Sequence, residues 1–293
     1  MIDNTIIELL SCPLDPDTCL QAQRIVQKEN IIDSGKLICP QCGMEYPIAA
    51  GIPDLFPGEN IRNMVGEEEY NKWLSALETF TEWRKKTWSD PFLSKTARKA
   101  TDELKEAFFK FAEIEGGMIL DVGGAGGMVR RYLPDGSRYH GLDPLPIPDD
   151  VKHFPFVRGV GEFIPFRNGI FDSVLVLESL DHLISPLWFI GEAARVLKGG
   201  GKLYISQDIS QPSRKRSFVE KLRNLAGYIA KGQFKEVAEK ARMEAASRRK
   251  VNPEMSHTYR FTEGSLMELM KGKFDVVSVS SYGSSLFIRG CAK

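Results

Sequence analysis

ILDVGGAGGMVRRYL, residues 119–133, joins a short apolar run to a helix-favouring stretch through Gly123, Gly124, Ala125, Gly126 and Gly127. Such a run, ending at Asp121, is of the kind buried in parallel sheets. Residues without a Cβ let the chain turn sharply and let a ligand approach the backbone amides, beside the positive end of the helix expected to follow. Outward from this turn the chain alternates. MILDV (118–122), RYHGL (138–142), FDSVLVL (171–177) and GKLYIS (201–206) read as strands. Between the last two, Leu187, Ile190, Ala194 and Leu197 recur with helical period and stop at Gly199, Gly200 and Gly201, giving a β-α-β unit. FDVVSVSSYGSSLFIRG (274–290) predicts an antiparallel closing hairpin around Tyr282 and Gly283. The fold class expected is α/β, a Rossmann-like, mostly parallel sheet with an antiparallel closing hairpin, plus a small β-rich module at the N-terminus.

Ligands of doubly wound sheets bind at strand C-termini. HGLDP places a second carboxylate, Asp143, at the tip of the next strand. There it can accept from both ribose hydroxyls, each charge-assisted bond contributing about 1.5 to 3 kcal/mol. A nicotinamide dinucleotide needs G-x-G-x-x-G, but from Gly124 the third glycine falls on Val129, and no other register places all three. Asp121, before the glycines, would repel a pyrophosphate but suits the methionine ammonium of a sulfonium cofactor. These residues therefore favour S-adenosylmethionine.

Four segments in order, LDVGGAGG, HGLDP, GVGEFIPFRNGIFDSVLVLESLDHL and EAARVLKGGGKLYIS, resemble the class I methyltransferases, especially the branch acting on quinones and other small molecules. They span residues 116 to about 206. The resemblance implies that Asp121, Gly123 and Gly127, with Gly124 in the turn, shape the methionine side of the pocket. It places Asp143 on the ribose, Gly161 and Glu162 beside adenine, and Leu177 and Glu178 at the fourth strand's tip. Two departures stand out. Ala125 replaces the second motif glycine, and Val160 replaces an Asp that often accepts from the adenine amino group, leaving that contact to backbone or Glu162.

Residues 1–57 are short strand-like runs broken by Pro, Gly and Asp. Cys39-Pro-Gln-Cys42 is a knuckle, in which two thiolates three positions apart can bind one metal. Cys12 and Cys19 are the other two sulfurs of a tetrahedral zinc site, with Asp15 a substitute for Cys19. The alternative is a small ribbon whose thiols stay buried and reduced. LLSCPLDPDTC followed by KLICPQCGMEYPIAAGIPDLFP resembles the small zinc-ribbon proteins that activate tRNA, rRNA and protein methyltransferases, here fused to the catalytic domain.

A helical lead-in, 58–115, carries Trp73, Leu77, Phe80 and Trp83 on one face, and Pro91 divides it from a second helix through Leu104, Phe108, Phe109 and Ala112. The remaining stretch, 116–293, is the S-adenosylmethionine-binding domain, interrupted at 212–250 by an insert with twelve Lys or Arg against four Glu from Ser213 to Lys250. That run reads as a solvated face or as a lid or anion-binding surface. His182, just past the fourth strand, and His257, after the insert, are the candidate catalytic groups, as base or orienter of the acceptor. Tyr259 accompanies His257. Thirty-nine basic residues balance thirty-nine acidic ones, so no protein-wide field steers the molecule to nucleic acid or an anionic membrane. The first residues lack a secretory pattern, no run approaches a membrane span, and clustered cysteines argue against a disulfide framework, so a cytoplasmic location is expected. The leading expectation is a methyltransferase with a small-molecule or lipid-like acceptor. Its rivals are an RNA or translation-protein methyltransferase and a non-catalytic cofactor-binding scaffold.

Overall fold

A computed structural model describes residues 4–28, 31–89, 91–124, 126–145, 154–209 and 259–293. The order of elements is α1 (Asn4–Ile7), β1 (Ser11–Cys12), β2 (Asp15–Cys19), β3 (Gln21–Lys28), β4 (Ile31–Ile38), β5 (Glu45–Ala49) and β6 (Ile52–Pro53), then helices α2 (Glu59–Val65), α3 (Glu67–Ser89) and α4 (Pro91–Ala112). There follow β7 (Met118–Val122), β8 (Arg138–Asp143), β9 (Phe156–Arg158), β10 (Phe171–Leu177), α5 (Pro186–Val196), β11 (Leu197–Asp208), α6 (Glu263–Met270), β12 (Phe274–Tyr282) and β13 (Ser285–Ala292).

The central sheet has seven strands in the order β12-β13-β11-β10-β7-β8-β9. β7, β8, β9, β10 and β11 run parallel, while β13 lies antiparallel to both β11 and β12. This is the Rossmann-like arrangement with a closing hairpin. Strand side chains alternate between faces. Leu120, Val122, Val174, Val176, Leu203 and Ile205 share one core with Phe189, Ile190 and Ala193 of α5. Ile119, Leu175, Tyr204 and Phe287 share the other with Phe108 and Ala112 of α4. Covered on both sides, the parallel strands can be apolar at every position, and β7 is buried along its full length.

Two expectations are corrected. Leu187 is 64% exposed, and the inward stripe of α5 is Phe189, Ile190, Ala193 and Val196. Ser185 caps this helix by accepting from the Trp188 amide, and Pro186 opens it, which fixes a phase rotated from the 187/190/194/197 reading. After the glycine turn there is no α-helix, only a 3-10 turn over Met128–Tyr132 that ends before Pro134 and Gly136. Only fifteen residues, 123–137, separate β7 from β8, so the macrodipole anticipated there does not exist.

The N-terminal strands form a two-stranded ladder, β1-β2, and a four-stranded antiparallel sheet, β3-β4-β5-β6. Backbone bonds stitch them to the main sheet: Ser11 N to Pro165 O at 3.2 Å, Arg167 N to Leu9 O at 3.0 Å and Leu55 N to Arg158 O at 2.8 Å. Leu10, Leu37, Ile48 and Leu55 sit in the same apolar cluster as Leu142, Val157 and Phe166. Among the described residues, no helix is long and apolar enough to cross a membrane.

Candidate active site

β7 and β8 are neighbours in register, with Ile119 opposite Tyr139 and Asp121 opposite Gly141. Asp121 and Tyr139 therefore project to the same side, and the Tyr139 hydroxyl donates to Asp121 Oδ2 at 2.7 Å. Burial pushes Asp121 up to about 6; the Tyr139 bond opposes that rise and the neighbouring Asp143 charge adds to it. The turn above is fitted to these groups. A Cβ on Gly124 would run into the Asp121 carboxylate, and one on Gly123, whose φ is 79°, would run into the Ser179 side chain. Gly127 adopts left-handed angles and packs under Phe154. Ala125 lies outside the described residues.

At the tip of β8, Asp143 is 5% exposed and accepts from the Leu145 amide at 2.8 Å. Next to it a cavity of about 490 Å³ opens between Pro144, Leu145 and Arg158 on the sheet side and Phe56, Leu74 and Leu77 opposite. Arg158 is fixed there by donating to Pro144 O at 3.0 Å, by its ion pair with Asp54 and by lying over the Phe56 ring.

Gly161 and Glu162 are both buried. A Cβ on Gly161 would lie 3.0 Å from Val122 and 3.1 Å from Phe189. Glu162 turns inward, and its Oε1 accepts from the amides of Ile184 and Ser185 in the loop before α5 while Oε2 is buried without a partner. Burial pushes it up to about 7. Val160 is 2% exposed, enclosed with Ile61, Trp73, Phe163 and Ile184.

Leu177 ends β10, and Glu178 follows with φ at 50°, a left-handed backbone uncommon for a non-glycine residue. Its carboxylate accepts from Ser206 Oγ at 2.5 Å and Asp208 N at 2.9 Å, tying the tip of β10 to β11. His182 lies in the 3-10 turn Leu180–His182, ahead of α5 and not in its first turn. The Phe80 ring stands 4.6 Å from its imidazole, and Trp73 Nε1 donates to its carbonyl at 2.9 Å. Tyr259 binds the same loop, its amide donating to Asp181 O at 3.4 Å and its hydroxyl to Ile184 O at 2.7 Å. His257 and the basic insert 212–250 lie outside the described residues.

In the N-terminal module the sulfurs of Cys12, Cys39 and Cys42 lie within 4.8 Å of one another. The Cys42 amide donates to Cys39 Sγ at 3.4 Å, and Tyr46 Oη lies 3.3 Å from Cys12 Sγ. Burial pushes Cys12 up to about 11. Burial acts the same way on Cys39, but the amides of Cys42 and Gln41 and the Cys42 thiol outweigh it and bring Cys39 below the usual thiol range. Cys19 is not in this group. It is exposed at the far end of β2, opposite Ser11, so the expected four-sulfur set is a set of three. Asp15 does not replace it: its carboxylate accepts from Thr18 Oγ1 at 2.7 Å.

A mostly parallel sheet, a glycine turn leaving the inner strand β7 and acids near the ends of the adjacent strands β7 and β8 frame the site. Residues 120–205 match the family described as a methyltransferase domain. Among curated relatives, the ubiquinone biosynthesis O-methyltransferase of Xanthomonas oryzae pv. oryzae is 30% identical over 105 residues, 32% of this chain and 44% of the relative. An uncharacterised chloroplastic methyltransferase of Arabidopsis thaliana is 24% identical over 171 residues, 51% of this chain and 49% of the relative. The chain thus spans about half or less of the length of these relatives. A solved S-adenosylmethionine-dependent methyltransferase of Thermotoga maritima superposes with a TM-score of 0.45 at 19% identity, covering 76% of this chain and all of the other.

The hydrogen bonds of Tyr139 to Asp121 and of Trp73 to His182 were not read from the sequence, which placed Glu178 at the strand tip without its ties to β11. For Tyr139 a signal was present, because pairing RYHGL in parallel with MILDV sets it beside the acid.

Proposed function

We propose that this protein transfers a methyl group from S-adenosylmethionine to a small, partly apolar acceptor. The observation carrying this reading is the pair of buried carboxylates, Asp121 and Asp143, at adjacent strand tips around a turn that only small residues can make. Asp121 holds the ammonium of the cofactor, and Gly123, Gly124 and Gly127 let its amino-acid end lie against the backbone. Asp143 accepts from the ribose hydroxyls, and the cavity beside Pro144 and Leu145 receives the purine. When bound, the cofactor would supply a sulfonium methyl group that passes in line to the acceptor atom as the carbon–sulfur bond breaks and S-adenosylhomocysteine leaves, so the chain's main task is positioning. Leu177 and His182 border the acceptor, with His182 oriented by Phe80 and Trp73. The relatives named for ubiquinone biosynthesis support a phenolic or quinol-like acceptor.

Calorimetry with S-adenosylhomocysteine, followed by transfer of a labelled methyl group to a panel of catechols and quinols, tests the reading. Micromolar binding with transfer to at least one phenol is expected. Binding without transfer to any small molecule, but with transfer to RNA or protein in a cell extract, moves the acceptor class. No binding removes the proposal.

For the module we propose one zinc ion on Cys12, Cys39 and Cys42, with water in the fourth position, since Cys42 opens to solvent.

A further inference from the structure

The glycine turn is flanked by opposite charges that do not pair with each other. Beneath it lies the Asp121 carboxylate, already hydrogen-bonded by Tyr139. Near it lies Lys105 of α4, a half-buried side chain whose Nζ is 4.0 Å from the thioether of Met128, the residue directly after Gly127. A thioether is a weak acceptor and returns little of what an ammonium loses on leaving water. Burial accordingly holds Lys105 below the usual lysine range, with Arg131 acting in the same direction and the charges of Asp102 and Asp121 opposing. Neither acid forms an ion pair with it. Asp102 is occupied by the Arg131 guanidinium, and among the described residues no carboxylate lies within ion-pair distance of Lys105. The other cations of this corner are engaged: Arg131 with Asp102 and Tyr132, and Arg130 over the Phe154 ring.

A buried carboxylate and an under-satisfied ammonium near the same backbone turn are complementary to a zwitterion. From this geometry we infer that Lys105 binds the α-carboxylate of the cofactor's amino-acid end while Asp121 binds its α-ammonium, so that the turn reads an intact amino acid and not the adenosyl portion alone. The inference rests on the proposed cofactor reading and extends it to a residue outside the four motif segments. It also gives α4 a function beyond covering the sheet, because Phe108 and Ala112 anchor in the core the helix that presents Lys105.

The test compares S-adenosylmethionine with its decarboxylated form, which differs only in the missing carboxylate, on wild type and on Lys105→Met and Lys105→Gln by calorimetry. Wild type is expected to prefer the carboxylated ligand by about tenfold or more, the range of one charge-assisted bond. Both variants should lose that preference while holding the decarboxylated ligand as wild type does. Thermal melts of the ligand-free variants check that the fold is kept. A variant that keeps the preference, or weakens both ligands equally, overturns the role of Lys105 and leaves the cofactor reading intact. Wild type that binds neither ligand removes both.

Discussion

Asp121 and Glu162 are carboxylates held in the interior, and both titrate above their ordinary values because burial disfavours the charged form. The sign follows from proton counting. Between the ordinary carboxylate range and the folded values of about 6 and about 7, the folded chain binds protons that the unfolded chain has released, so stability falls as pH rises through that window. Each group costs the folded, ligand-free state on the order of 3 kcal/mol once ionised. Thermal melts of the free protein should therefore decline from pH 5 to pH 8, and Asp121→Asn should flatten part of the decline. Binding has the opposite sign. A cofactor ammonium pairs only with the ionised acid, so S-adenosylhomocysteine affinity should rise from pH 5 to pH 7 in wild type and lose that rise in Asp121→Asn. Asp143→Ala should weaken the same ligand by about tenfold to a hundredfold in calorimetry, the loss of charge-assisted bonds to ribose. Unchanged affinity would place the ribose elsewhere.

At the scale of elements, α3 acts as a clamp on the loop after β10. Trp73 is 2% exposed and its indole N–H holds the His182 carbonyl, while Phe80 stands against the imidazole. Trp73→Phe keeps most of the packing and removes the hydrogen bond, so stability should drop by about 1 to 2 kcal/mol. Turnover should fall with cofactor affinity unchanged; a loss of affinity equal to the loss of turnover would deny the clamp a role in placing the acceptor. Much of this level was legible in the sequence. The apolar runs gave the strands, and YGS between two β-branched runs gave the hairpin, because those patterns depend on short-range sterics and burial. Two features were not legible. Helix phase in α5 is set by the Ser185 cap and Pro186, which outweigh the apolar character of Leu187. The helix after the glycine turn is cut to five residues by Pro134 and by the short connection to β8, although its composition suits a helix. Lys105 was invisible for another reason: its neighbour Met128 follows the glycine turn, and only the tertiary fold brings α4 to it.

At the scale of the molecule, the cysteine spacing pointed to a candidate metal site but not to which sulfurs converge. CPQC is local and was readable, whereas the direction in which Cys19 points depends on the bulged β1-β2 pairing. Elemental analysis of protein purified without chelator should give about one zinc per chain. Cys39→Ser should lose the metal and lower the melting temperature, and Cys19→Ser should change neither. Zinc loss in Cys19→Ser would restore the four-sulfur site.

Where Asp54 and Leu55 run beside Arg158, the N-terminal segment forms a parallel bridge along the outer side of β9. The last strand of the main sheet therefore does not present a bare row of amides and carbonyls to a passing chain. A polypeptide begun after residue 57 would keep every motif segment yet uncover that rim together with the apolar surface around Leu142 and Val157. Sedimentation should find such a fragment self-associating more strongly than the full chain, since exposed strand rims recruit one another.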